Sequence, residues 1–302
     1  MTGPDARGDG DGWVECDLGH RHWGLFGAAG LLLHRPTPDG TDEVLLQHRA
    51  TWSHHGGTWG LLGGARHSDE SAVAAALREA AEEGGLAPDA VEVRGEYDDA
   101  HGGWAYATVL AVTDRSTEAR PTGGESIDVG WFTTDAASDL PLHPGFASTW
   151  PLLQGALRPL TLVVDAANVV GSRPDGWWKD RAGAARRLVI ACAGLARSGV
   201  AGSDLPDRLE RAALDRWWPQ VVVVVEGAAR QVAADATEPG VEVVAAPASG
   251  DDTIVEVVQR AEMGPVLVVT ADRELRRRVE SLGATTVGPR WLTDLTSGPP
   301  LR

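Results

Sequence analysis

The chain has 302 residues, 43% of them hydrophobic, and carries 43 acidic against 27 basic side chains for a formal charge of −16. This length suggests two domains, and the apolar content is enough for packed cores, which excludes a wholly disordered chain. The sign of the charge argues against a protein that coats DNA or an anionic membrane by bulk electrostatics.

The charge is unevenly spread. Residues 1–156 hold 24 acidic residues and 9 arginines, whereas residues 157–302 hold 19 acidic and 18 basic residues. The two cysteines, Cys16 and Cys192, fall in opposite halves and do not suggest a disulfide framework. No apolar run reaches membrane-span length, and Met1 is not followed by a charged-then-apolar leader. A cytoplasmic protein without membrane contact is therefore expected; nothing in the sequence sets an oligomeric state.

In chain order, residues 1–12 are rich in glycine and aspartate and lack periodicity, so a disordered tail is predicted. Domains are predicted over 13–156 and 157–302. Gly27–Leu33 and Glu43–His48 read as strands around a turn at Pro38-Asp39-Gly40. The Gly/His/Trp-rich stretch Trp52–Gly64 reads as a loop. Ser71–Glu83 is a strong helix pattern, stopped by Gly84-Gly85 with Pro88 beyond. Strands are predicted at Val91–Tyr97, Trp104–Val112 and Val129–Phe132, and a closing helix at Leu152–Leu157. The first half is thus an α+β domain.

The second half changes character. Leu162–Val164, Val221–Val225, Val241–Ala245 and Val266–Val269 are apolar runs with little alternation, and helical patterns at Ala182–Arg197, Thr253–Ala261 and Arg273–Leu282 lie between some of them. Such runs mark a parallel sheet covered on both faces, a three-layer α/β domain.

On a helical wheel, Val73, Ala76, Leu77 and Ala80 form one stripe, expected to face the sheet, and Glu79, Glu82 and Glu83 fall on an adjacent face. Three carboxylates on adjoining turns repel one another, and Arg78, four residues before Glu82, neutralises only part of the charge. The residues leave two readings open: a solvated acidic face, or a site for a hard dication such as Mg²⁺ or Mn²⁺.

The spacing resolves them. Gly64, five residues, Glu70, seven residues, Arg78-Glu79-Ala80, one residue, Glu82-Glu83, one residue and Gly85-Leu86 resembles the Nudix box of the Nudix hydrolases. The resemblance extends upstream through Trp59-Gly60-Leu61-Leu62-Gly63-Gly64 and downstream to Trp131-Phe132. At Ala80 the family more often has a larger aliphatic residue. The resemblance implies a mixed-sheet Nudix fold and Mg²⁺-dependent (or Mn²⁺-dependent) hydrolysis of a nucleoside diphosphate-linked substrate, of the NTP/dNTP or nucleotide-sugar type. It implies that Glu82 and Glu83 ligate metal, that Glu79 is a ligand or base, that Arg78 orients a glutamate and that Glu70 is structural or supporting. Gly63 and Gly64 are expected at the phosphates, and Glu125, six residues before Trp131, as an additional metal acid. His54, His55 and His101 are weaker candidates for phosphate or base contacts, and Trp104 or Tyr106 for stacking on a base.

In the second half, Asp165 ends one predicted strand and Asp272 follows another, while Asp251 and Asp252 open a helix. Ligands of parallel sheets bind at the carboxyl ends of strands. The order VVDAANVV, GDDTI and VVTADRE resembles the NYN branch of the PIN-like nuclease domains over about Thr161–Leu295, with Asn168 fitting and Ala166 standing where relatives often have glycine. That resemblance implies Mg²⁺ or Mn²⁺ on Asp165, Asp252 and Asp272, with Asp251 adjacent and Glu226 a candidate extra ligand, for cleavage of RNA; a degenerate domain that only binds or packs is the other reading. Arg273, Arg276, Arg277, Arg278, Arg181, Arg186 and Arg187 would supply basic surface, and Trp177-Trp178 with Lys179 a stacking platform. Two further functions stay open beside the fused pyrophosphohydrolase. One is an RNA-processing enzyme that trims a 5′ end with one half and cuts phosphodiester bonds with the other. The second is a non-catalytic nucleotide-binding regulator.

Overall fold

The computed structural model describes residues 8–37, 40–174, 176–207, 209, 214–235, 237–261 and 264–297. The chain divides into two compact units, Met1–Leu157 with Ala212–Asp215, and Arg158–Arg211 with Arg216–Arg302. No helix among the described residues is long and apolar enough to cross a membrane.

The first unit opens with a hairpin of β1 (Trp13–Glu15) and β2 (Arg21–Trp23), in which Trp13 faces Trp23. Its main sheet is built on β3 (Ala28–Pro36) and β4 (Asp42–Arg49), which pair antiparallel at His34 and Val44. The short strands β5 (Trp59–Gly60) and β6 (Leu62–Ala65) follow, β5 on β4 and β6 on the first half of β3. Helix α1 (Ala72–Gly84) comes next, then the hairpin β7 (Glu92–Ala100) and β8 (Ala105–Val112), with β8 parallel to β3. Strand β9 (Ser126–Thr133) lies antiparallel to β4, followed by α2 (Thr134–Ser138) and α3 (Pro144–Gln154). The sheet is mixed, as the α+β reading requires.

Helix α1 forms where alanine-rich text of high helix propensity meets good ends. The Ser71 side chain accepts a bond from the Ala74 amide, and Gly85 takes the left-handed conformation (φ 68°). Its buried face runs through Ala72, Ala75, Ala76 and Ala80 to Glu83, with Val73 and Leu77 only partly covered. The predicted stripe is therefore rotated toward the carboxylates. Alanines let the helix approach the sheet closely, packing on Ala29, Leu31, Leu62, Ala107 and Val109, and the approach carries Glu83 into the interior. Ala80 lies on this same buried face, 1% exposed.

The second unit is a five-stranded parallel sheet in the order β14 (Val241–Ala245), β13 (Gln220–Val225), β10 (Thr161–Asp165), β15 (Val266–Val269), β16 (Thr285–Val287). The helices are α4 (Ala166–Gly171), α5 (Arg181–Ser198), α6 (Gln231–Asp235), α7 (Gly250–Arg260), α8 (Arg273–Glu280) and α9 (Pro289–Ser297). A short antiparallel pair, β11 (Val200–Ala201) and β12 (Arg216–Trp217), precedes β13. Ile254, Val257, Val258, Leu275 and Val279 pack on Val163, Val222 and Val268 to form a core. Strand order reverses between β10 and β15, which opens a crevice at their carboxyl ends.

Some expectations need correction, and others fall outside the described residues. Residues 1–7 of the expected tail lie outside the described residues, but 8–12 are tied down: the amides of Gly24 and Leu25 donate to the Gly12 and Gly10 carbonyls, and Asp9 accepts from Ser68. The expected loop Trp52–Gly64 contains β5 and the start of β6. The expected turn residues Pro38 and Asp39 lie outside the described residues. The closing helix begins at Pro144, eight residues early, because proline is tolerated in a first turn and His143 caps it. Leu214 and Asp215 join the first unit, where the Asp215 carboxylate accepts from the Asp98 amide.

Candidate active site

Strand β6 and helix α1 build the site of the first unit between them. Glu83, 8% exposed, accepts hydrogen bonds from the Gly63 amide (2.9 Å) and the Gln47 side-chain amide (3.1 Å). Gln47 is itself locked, donating to the Leu61 carbonyl at 2.7 Å and accepting from the Ser126 hydroxyl at 2.7 Å. Glu79 lies against Gly64: a Cβ built there would sit 2.6 Å from Glu79 Oε1. The first role of this glycine is thus to make room for a carboxylate. Gly63 is equally confined, since its Cβ would come within 2.5 Å of the Ala29 carbonyl oxygen.

Arg78 organises the opposite side. It donates to both oxygens of Glu70 (2.7 and 2.9 Å), to the Ala65 carbonyl (2.9 Å), to Glu79 (2.7 Å) and, more weakly, to Glu82 (3.3 Å). Five contacts from one guanidinium match its fixed fork of donors. The bonds from Arg78 hold the Glu70 carboxyl well below its usual range, at about 2. Glu70 is therefore a clamp on Arg78.

The two inward glutamates shift the opposite way from Glu70. Burial, and then the neighbouring Glu79, push the Glu83 carboxyl up to about 8. Burial also raises Glu79, although Arg78 pulls against it. Glu125 is exposed, yet close enough for its charge to raise both. Glu83 has no salt bridge among the described residues; Arg49, which lowers its pKa slightly, is bonded to the His54 carbonyl instead. Buried carboxylates without a compensating cation are costly. The carboxylates of Glu79, Glu83 and Glu125 act on one another electrostatically here, and oxygen donors of this kind suit Mg²⁺ or Mn²⁺. Glu82, which sequence reasoning placed beside Glu83 as a leading ligand, has a side chain 61% exposed and turned to Arg78. One residue along a helix is a rotation of about 100°, enough to separate the two environments.

Gln47 and Ser126 escaped sequence reasoning. Their one signal was a polar residue inside the apolar run EVLLQH, on a strand buried on both faces. Tyr106 was expected only as a candidate for stacking on a base. Its hydroxyl sits over Gly30 and Gly63, and burial raises its pKa. Trp104 instead stacks on His22 and donates to the Gly24 carbonyl. His54 and His55 cluster with His143, and His101 belongs to a different cluster with Cys16.

The second unit gathers a separate carboxylate set. Asp165, 7% exposed, accepts from the Asn168 amide (3.0 Å) and the Thr270 hydroxyl (2.9 Å), while the Asn168 side chain accepts from the Ala271 amide (2.9 Å). Burial raises Asp165, and the charges of Asp251 and Glu226 add to it. Burial raises Asp251 too, followed by Asp272. Asp165 ends β10, Glu226 follows β13 and Asp272 follows β15, and with Asp251 at the start of α7 their charges act on one another at this carboxyl edge. Asp252, preferred over Asp251 on sequence, turns away and pairs with Arg278 at 2.7 Å. Asp272 also caps α8 through the Leu275 amide. The expected basic surface is largely engaged: Arg186 pairs with Asp235, Arg277 with Glu274, and Arg276 bonds Thr286. Arg181 lies over Trp177, while Trp178 is exposed.

A carboxylate helix packed on a glycine strand of a mixed sheet, with an arginine bridging its acids, defines a Nudix-type hydrolase site. Comparison with known proteins agrees. The NUDIX domain profile matches residues 27–153. A Mycobacterium tuberculosis protein, named provisionally as 8-oxo-dGTP diphosphatase 3, is 51% identical over 159 residues, covering 50% of this chain and 72% of that one. A Bifidobacterium longum nucleoside triphosphate pyrophosphatase/Nudix hydrolase fusion protein is 41% identical over 155 residues, 50% of this chain and 32% of its own length. A solved Nudix hydrolase from M. smegmatis shares 47% identity over 49% of this chain and 94% of its own, with a TM-score of 0.46. The chain belongs to the Nudix hydrolase family. It is a hydrolase of acid anhydrides in phosphorus-containing substrates.

Proposed function

We propose that the first unit is a Mg²⁺-dependent pyrophosphohydrolase of a nucleoside triphosphate, with purine deoxynucleotides, 8-oxo-dGTP among them, as the first substrates to test. The observation that carries this reading is the pair Glu79 and Glu83, buried against Gly63-Gly64 without enough cationic charge. These two residues, with Glu125 at the rim, are the proposed metal holders; Glu82 is assigned the outer, solvent side. A dication bound there supplies charge neutralisation for the phosphates and a water of lowered pKa. The chain's own residues do the positioning. Arg78 holds Glu79, Gln47 and the Gly63 amide hold Glu83, and Gly64 leaves space for a carboxylate beside the strand. The relative's name supports the substrate choice, and the arrangement of acids supports the metal. The test is phosphate and pyrophosphate release with Mg²⁺ from dNTPs, 8-oxo-dGTP, ADP-ribose, NADH and dinucleoside polyphosphates. Turnover concentrated in the triphosphates is expected; turnover of nucleotide sugars or dinucleotides alone would overturn the substrate class.

We propose for the second unit an NYN/PIN-like, metal-dependent cleavage of RNA. It is favoured by the interacting charges of Asp165, Glu226, Asp251 and Asp272 beside the strand-order reversal. Asn168 braces the crevice by bonding the chain that follows β15. An Asp165→Asn variant keeps the capping bond to α4 but removes the charge. It should lose at least about tenfold of any Mn²⁺-dependent cleavage, as one charged ligand of a metal site is worth more than 1.4 kcal/mol. Wild-type protein that leaves single-stranded and structured RNAs intact rules the activity out.

A further inference from the structure

Four potential metal ligands meet away from the glutamates of the first unit. Cys16, His20, His22 and His101 each present a ligand atom, and all four atoms lie within 4.8 Å of one another. We propose that they form a structural Zn²⁺ site that pins the β1–β2 hairpin to the tip of the β7–β8 hairpin.

The backbone prepares this convergence. The Cys16 amide donates to the His20 carbonyl at 2.9 Å and Gly19 returns to the Cys16 carbonyl at 2.9 Å, so residues 16 and 20 flank a tight turn. His22 follows on β2, two residues after His20. His101 opens the other turn, where its amide donates to Trp104 and Gly102 and Gly103 take φ values of 70° and 71°. The Asp17 amide donates to the Gly102 carbonyl at 3.0 Å, which lashes the two turns together. A Cβ at Gly102 would lie 2.7 Å from the Asp17 carboxylate, so glycine is what permits the approach.

The side chains are poised to bind rather than only to pack. His22 Nε2 and His101 Nδ1 are buried without a hydrogen-bond partner among the described residues. Such orphaned groups cost about 1–3 kcal/mol each unless something satisfies them. The other ring nitrogen of His101, Nε2, lies 3.4 Å from the Asp99 carboxylate, the outer partner that orients metal-bound imidazoles. His22 stacks on Trp104, with ring centres 4.0 Å apart and planes 11° apart, and Trp104 is anchored on the Gly24 carbonyl.

The donor set chooses the ion. One thiolate and three imidazoles suit Zn²⁺, whereas Mg²⁺ and Mn²⁺ prefer the oxygens of the glutamate site. Four protein ligands complete a tetrahedron and leave no open position, which makes the role structural. Tetrahedral Zn²⁺ holds its ligand atoms roughly 3.3–3.8 Å apart given bonds of about 2.0–2.3 Å. Closing from the present spread takes about 1 Å, within reach of side-chain rotation.

The test is Co²⁺ substitution of the chelator-stripped, full-length protein. One equivalent should give the strong visible bands of tetrahedral Co²⁺ and a near-ultraviolet thiolate charge-transfer band, all bleached by added Zn²⁺. Cys16→Ser should abolish the charge-transfer band, and His101→Gln should weaken Co²⁺ binding at least tenfold, while Cys192→Ala, at the other free cysteine, leaves the spectrum unchanged. Circular dichroism confirms that each variant is folded; if Cys16→Ser does not fold, His101→Gln decides. Weak octahedral Co²⁺ absorption alone, or bands indifferent to both substitutions, would overturn the site.

Discussion

Glu83→Gln is expected to cost at least about a hundredfold in kcat for nucleotide hydrolysis while making the metal-free protein more stable at pH 8. The loss follows because a held dication is worth several kcal/mol to the transition state, and each factor of ten is about 1.4 kcal/mol. The gain in stability follows from the sign of the pKa shift. In the fold, burial and Glu79 hold the Glu83 carboxyl up at about 8, against an ordinary value of 4.5. A raised carboxyl favours folding only while protonated. Its contribution is complete below about pH 4.5 and is lost as pH rises toward 8. Glutamine mimics the protonated acid at every pH. The variant should therefore gain about 1 kcal/mol or more at pH 8, seen as a Tm rise of about 2–4 °C in chelator, and gain nothing near pH 4. Mg²⁺ should raise the Tm of wild type more at pH 8 than at pH 6, and should barely move the variant. A variant of full activity, or one less stable at pH 8 in chelator, would contradict the placement of Glu83.

Arg78→Ala should produce the largest loss of stability at the site. Glu70 and Glu79, with side chains 16% and 14% exposed, both lose the donor that compensates them. Removing one partner of a buried charge network costs about 3–5 kcal/mol, because the partner left behind is uncompensated. Urea denaturation should report about 3 kcal/mol, and kcat should fall as Glu79 loses its orientation. Arg78→Lys should recover only a minor part of either. An ammonium cannot reach both Glu70 oxygens, the Ala65 carbonyl and Glu79 together. Full recovery by lysine would show that charge alone matters here.

Both experiments concern residues that the sequence already marked, but it marked them unequally well. The spacing from Gly64 to Leu86 identified α1, its caps and the residues that carry charge, because helical periodicity and capping are local properties. It could not rank Glu79, Glu82 and Glu83. That ranking depends on how closely α1 settles onto β3, β6 and β8, and small alanines shift the buried face by one residue from where the larger Val73 and Leu77 pointed. The same limit applies to Asp251 and Asp252, adjacent in sequence, of which one joins Asp165 and the other pairs with Arg278.

Long-range partners were beyond local reading. Gln47 and Ser126 meet 79 residues apart because β4 pairs with β9, and the bond from Gln47 to Glu83 spans 36 residues. Cys16 and His101 looked unrelated until two hairpin turns were lashed together at Asp17 and Gly102. By itself the sequence determined the family of the first half, the parallel sheet of the second and the identity of the acids, since composition, period and motif spacing are written along the chain. Which acids are buried, what holds them and which histidines share a centre was decided only by tertiary packing. Desolvation and hydrogen-bond geometry depend on neighbours that arrive from elsewhere in the fold.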